Sequence, residues 1–157
     1  MNYLVIGYGN TLRGDDGAGQ RVAERVNDWN LINVRSLSLH QLTPEVAAAI
    51  AEAEVVFFVD AITPAEAPVT QVQITQLQAE TTSSQWAHFQ DPRSLLLLTQ
   101  KLYSKTPIAY QIGIPAENFA FGESLSATTE AAVEQALAEI HKLICDLTHT
   151  IGNAFAL

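Results

Sequence analysis

The chain has 157 residues, 48% of them apolar and only 16% charged, with a formal net charge of -9. That size and composition predict one domain over residues 1–157 with a sizeable core, and they exclude a disordered chain. The acidic balance argues against nucleic acid and against anionic membrane surfaces, since both select a basic face.

Met1-Asn2 leads straight into an apolar run, Tyr3–Ile6, with no basic leader of the kind a signal peptide carries. That run reads as a first strand. A glycine-rich turn follows, Gly7-Tyr8-Gly9-Asn10-Thr11-Leu12-Arg13-Gly14-Asp15-Asp16-Gly17-Ala18-Gly19. Val22, Ala23 and Val26 are then spaced for one helix face, so a first helix is expected over roughly Gly17–Val26. A strand-to-helix turn of this kind is where open α/β sheets hold their ligands.

The second strand is expected at Val34–Leu39 and a helix at Pro44–Ala53, entered by proline after Thr43. Val55–Val59 is wholly apolar, as in a central parallel strand buried on both faces, and Asp60 closes it. Val69–Leu77 alternates more, which suits an edge strand that runs antiparallel. Asp91 as cap and Pro92 at the first position predict a helix over Pro92–Tyr103. Ile108–Ile114 reads as a further strand.

Ser126 then caps a long final helix, whose apolar stripe is Val133, Leu137, Ile140, Ile144 and Leu147. The single cysteine, Cys145, excludes an intrachain disulfide framework and a cysteine-rich zinc site. Beside Ile144 it reads as a small buried hydrophobe; His141 and His149 read as solvent-facing. The longest apolar runs are too short to span a bilayer, and a reducing cytoplasm is the expected setting. No linker or internal repeat divides the chain. The order of elements predicts an α/β fold: a mostly parallel, twisted sheet of about five strands between two helix layers.

The glycine-rich turn fits no common phosphate motif. A dinucleotide fingerprint needs glycine where Leu12 stands, and a phosphate loop needs Gly-Lys-Ser/Thr. One ordinary role remains: Asp15 or Asp16 caps the helix. That occupies one carboxylate and leaves the second without a task. If the strands are mutually parallel, Asp15, Asp16, His40, Asp60 and His88 all reach one rim of the sheet. Asp16, Asp60 and His88 would then offer two carboxylates and an imidazole from three loops. Such a set suits a borderline divalent transition ion with open coordination positions. Each has a plainer reading: Asp60 as a loop brace, and His88, flanked by Trp86 and Phe89, as a partly buried histidine satisfied by hydrogen bonds. No Gly-x-Ser-x-Gly elbow is present, and the adjacent Asp15-Asp16 pair does not reproduce an aspartic-protease dyad.

The opening Gly7-x-Gly9-Asn10-x-Leu12-x-Gly14-Asp15-Asp16-Gly17-x-Gly19 resembles that of the NiFe-hydrogenase maturation endopeptidases. Val59-Asp60-Ala61, His40-Gln41-Leu42-Thr43-Pro44-Glu45, His88 after Ser83-Ser84, and Phe121-Gly122-Glu123-Ser124-Leu125-Ser126 resemble later segments of that family. The resemblance implies a helix–sheet–helix fold and removal of a C-terminal extension from the precursor of a hydrogenase large subunit after nickel loading. It implies that Asp16, Asp60 and His88 contact nickel and carry the chemistry. The nickel would be supplied by the substrate and not held tightly by the free enzyme. A monomer is expected. Two other classes remain open: a non-catalytic nickel- or precursor-binding accessory protein on the same fold, and a small-ligand α/β binding domain. Some relatives carry an aspartate near the second strand's end, where this chain reads Ser36-Leu37-Ser38-Leu39-His40.

Overall fold

The computed structural model describes residues 1–63, 70–79 and 90–154. Five strands form one sheet: β1 Tyr3–Tyr8, β2 Val34–Leu39, β3 Val55–Ile62, β4 Gln73–Leu77 and β5 Ile108–Pro115. Four helices accompany them: α1 Ala18–Asn27, α2 Val46–Ala51, α3 Pro92–Tyr103 and α4 Ala127–Ala154. The strand order is β2-β1-β3-β5-β4, parallel throughout except for β4, which lies antiparallel to β5 at the edge. The three-layer α/β expectation holds, and so does the antiparallel edge strand.

Strand alternation sends successive side chains to opposite faces, and each face meets its own pair of helices. Tyr3, Val5, Val55, Phe57 and Val59 pack with Val22 and Val26 of α1 and with Val133, Leu137, Ile140 and Ile144 of α4. Leu4, Ile6, Tyr8, Val56 and Phe58 pack with Ala47 and Ile50 of α2 and with Leu95 and Leu96 of α3. Phe57 and Phe58 are both fully buried, one on each face. Each contributes about 1.5–3 kcal/mol by leaving water. Among the described residues, no helix is long and apolar enough to cross a membrane.

Several bounds differ from the expected ones. β3 runs on to Ile62, because β5 continues beside it and pairs Asp60 with Gly113 and Ile62 with Pro115. Asp60 therefore lies inside the strand and does not close it. α2 is shorter than Pro44–Ala53, since the chain enters through bonds from Val46 to Thr43 and Ala47 to Pro44 and leaves through Glu52 to Ala49. These three-residue spacings are tighter than α-helix. β4 begins only at Gln73, and Val69 lies outside the described residues. Cys145 is partly exposed and not buried, one position off the buried stripe that contains Ile144. His141 and His149 are exposed, as expected.

Candidate active site at the carboxyl rim of the sheet

β2, β1 and β3 are parallel neighbours, so the residues that leave them meet at one rim. Beyond β1 the chain makes a short loop, a single 3-10 turn over Gly14–Gly17, and then α1. Two glycines let that helix press onto the strand ends. A Cβ on Gly7 would overlap the Gly19 carbonyl oxygen, and one on Gly19 would overlap the carbonyl oxygens of Val59 and Tyr8. Gly9 has φ +141°, where side chains are strained, and a Cβ there would strike the Asp16 carbonyl oxygen. The 3-10 turn packs against β3 as well, which brings the Asp15-Asp16 pair beside the Asp60 strand.

The two adjacent carboxylates have different tasks. Asp15 is fully buried. Its Oδ2 accepts the N–H groups of Glu117 and Asn118, both at 2.9 Å, and the Ser126 hydroxyl at 2.8 Å. Its Oδ1 accepts the Ser126 N–H at 2.6 Å. Burial alone would raise this carboxyl, but the donated bonds from Ser126, Asn118 and Glu117 outweigh it and hold the group below its ordinary 3.8. Further bonds tie the same two loops together: Gly14 N–H to the Gly122 oxygen, Gly122 N–H to the Leu12 oxygen and Asp15 N–H to the Asn118 oxygen, each at 2.8 Å.

Asp16 is half-buried. Its Oδ2 accepts the Asn10 N–H at 2.7 Å, while Asn10 Oδ1 accepts the Leu12 N–H at 2.9 Å. Asn10 and Asp15 thus brace the turn through backbone bonds, as expected. Helix capping is not their role. The residue before α1 is Gly17, with no side-chain cap, and neither aspartate serves there.

Asp60 is half-buried on β3, and its Oδ1 accepts the Ala61 N–H at 2.8 Å. Strand alternation places it on the α2/α3 face with Val56 and Phe58. The β1–β3 register, Gly7 opposite Val59, sets Tyr8 alongside it on that same face. Tyr8 is buried, and burial first, then the negative charges of Asp60 and Asp91, push its phenol far above the ordinary 10.0. Asp91 stands at the entry to α3, where its Oδ1 accepts the Arg93 N–H at 3.0 Å. The sequence pattern marks Asp91 only as a cap and does not single out Tyr8. The signal for Tyr8 was its even spacing from Leu4 and Ile6 at the end of an otherwise apolar strand.

His40 is exposed in the bend after β2, on the same rim. Its neighbour Gln41 accepts a bond from Gln90 Nε2 at 3.3 Å, which joins this loop to the approach to α3. His88, with Trp86, Phe89 and the Ser83-Ser84 pair, lies outside the described residues. The premise that placed it on this rim does not hold as stated, because β4 runs antiparallel to its neighbour. Among the described residues, no three histidine, cysteine or acidic side chains lie together so as to hold a metal ion.

No family model and no curated protein matches the chain. Solved structures do. The hydrogenase maturating endopeptidase HybD from E. coli superposes with a TM-score of 0.76 at 21% identity over 93% of each chain. The [NiFe] hydrogenase maturation protease HybD from Thermococcus kodakarensis gives 0.70 at 26% identity, over 91% of this chain and 99% of that one. The maturation protease HycI from the same organism gives 0.68 at 22% identity over 90% of each. The chain is a structural homologue of these proteins over nearly its whole length.

Proposed function

We propose that this chain is an endopeptidase that removes the C-terminal extension of a nickel-loaded NiFe-hydrogenase large-subunit precursor, in the cytoplasm. Asp16, Asp60 and His88 would contact nickel that arrives on the precursor. The observation that carries this reading is the division of labour at the rim. Asp15 is fully buried under four bonds from a distant loop, while Asp16 and Asp60, from different segments, are only half-buried on elements that pack together. The likeness to solved maturation endopeptidases over nearly the whole chain supports it. Asp91, one of the charges acting on Tyr8 at this rim, is three residues from His88 along the chain.

The chemistry is coherent. Two hard carboxylates and an imidazole without thiolate make a site of modest affinity for free nickel. Softer donors on the precursor would complete the coordination, so the enzyme would act only on loaded substrate. Nickel held between the two partners would polarise water or the scissile carbonyl.

The test is incubation of purified nickel-loaded precursor with the protein, followed by mass measurement of the precursor. Loss of the C-terminal peptide is expected. Asp16→Asn, Asp60→Asn and His88→Ala should each slow it on the order of 100-fold or more, and Asp15→Asn should retain more cleavage than Asp16→Asn. Binding without cleavage would replace this reading with a non-catalytic accessory role. His88→Ala that loses stability yet cleaves normally would mark His88 as a packed residue.

A further inference from the structure

Tyr8 is a polar residue that the nickel-binding set does not use. Its ring belongs to the α2/α3 core and it is 8% exposed, yet among the described residues its hydroxyl makes no hydrogen bond. Buried tyrosines ordinarily find a partner for the O–H. No buried side-chain nitrogen or oxygen in the described structure lacks one, so the tip of this hydroxyl must still meet solvent at the rim. The ring is thus held by packing, while the hydroxyl end lies under the influence of the negative charges of Asp60 and Asp91.

We propose that Tyr8 touches the substrate: its O–H donates a hydrogen bond to the carbonyl oxygen of the peptide bond being cleaved. This rests on the endopeptidase reading of the same rim. The charge pattern selects that acceptor. Asp60 is Tyr8's neighbour in the strand register, and it and Asp91 set a negative field at the hydroxyl, so an anionic ligand group is repelled, whereas a peptide carbonyl enters neutral. When water adds through its oxygen to the carbonyl carbon, the π pair moves onto the carbonyl oxygen. Carboxylates oppose that new charge, and a neutral O–H held in place stabilises it without reorganising. When the C–N bond breaks, the pair returns to form the carboxyl product. The proton lost by water ends on the leaving amine, and Tyr8 finishes with its own proton.

The experiment compares wild type, Tyr8→Phe and Asp60→Asn on nickel-loaded precursor, with kcat and KM resolved and thermal midpoints taken on the same samples. Tyr8→Phe should lower kcat about 100-fold, with little change in KM and no loss of thermal stability. A kcat close to wild type, a rise in KM alone, or a fall in kcat matched by unfolding would overturn the proposal. A second arm inserts 3-fluorotyrosine at position 8, a stronger donor of nearly the same size. Faster turnover is expected, and unchanged turnover would also overturn it. Wild-type protein that releases no peptide would instead defeat the endopeptidase reading, and the Tyr8 role with it.

Discussion

On the α1/α4 side of the sheet the rim is tied down: Gly7 and Gly19 lock helix to strand, and Asp15 takes four bonds from one distant loop. On the α2/α3 side, the Tyr8 hydroxyl makes no hydrogen bond among the described residues, and Asp60, whose Oδ1 accepts the Ala61 N–H, sits half-buried in the same neighbourhood. The first side joins two loops more than a hundred residues apart, whereas on the second the Asp60 and Asp91 carboxylates take bonds only from residues one or two positions on, among the bonds described. A hydrolytic site needs both, because reacting groups must be held within a fraction of an ångström by parts that do not react. Adjacent residues differ in degree: Asp15 is fully buried and takes four bonds from a distant loop, and Asp16 is half-buried and takes one from Asn10 within the turn.

The largest effect is expected at Gly19. In Gly19→Ala the new methyl meets backbone oxygens of Val59 and Tyr8, which have no flexible side chain to move aside. The helix must lift from the strands, at a cost of about 3 kcal/mol or more, read as a lower urea midpoint. An unchanged midpoint would mean that the helix–strand contact is not tight.

Asp15→Asn comes next. It keeps the shape but replaces a charged acceptor of four bonds with a neutral amide, one end of which faces donors. A loss of about 2–3 kcal/mol is expected. The pH dependence has a definite sign. The native carboxyl lies below its ordinary value, so the unfolded chain takes up the proton first. The stabilisation is fully present above the ordinary carboxylate range and is lost as pH falls through the native value. The gap in thermal midpoint between wild type and Asp15→Asn should therefore be wide at about pH 7 and narrow towards about pH 3. A gap that stays constant would show that charge plays no part in the brace.

Ser126→Ala sharpens the same point with a smaller effect. It removes the hydroxyl bond to Asp15 and the 3.3 Å bond from the Thr129 N–H, while the Ser126 backbone bond to Asp15 remains. About 1 kcal/mol should be lost. Combined with Asp15→Asn the two losses should fall short of their sum, because they share a bond. Strict additivity in a double-mutant cycle would argue against a single network.

Local chemistry made some elements legible and left others hidden. The bounds of β2 and α3 match those expected from the sequence, and α3 carries its own signals, the Asp91 cap and Pro92 at the first position. The extension of β3 through Asp60 was not legible, because it depends on β5, about fifty residues later, running alongside. The partners of Asp15 lie 102 to 111 residues away, so no local pattern could name them. Tyr8 was overlooked for a related reason. Its significance comes from lying beside Asp60 on the same face, which is a fact of register.

What depends on neighbours along the chain was legible in the sequence: an α/β order of elements, a glycine-rich turn after β1, entry signals for α3 and α4, and acidic residues near strand ends. Periodicity and capping act over a few residues, so they can be read directly. Tertiary structure decided which carboxylate takes the distant loop's bonds and which face Asp60 and Tyr8 share. Those outcomes turn on strand pairing and on loops closed over a hundred residues, where the fold as a whole, and no local preference, sets which groups meet.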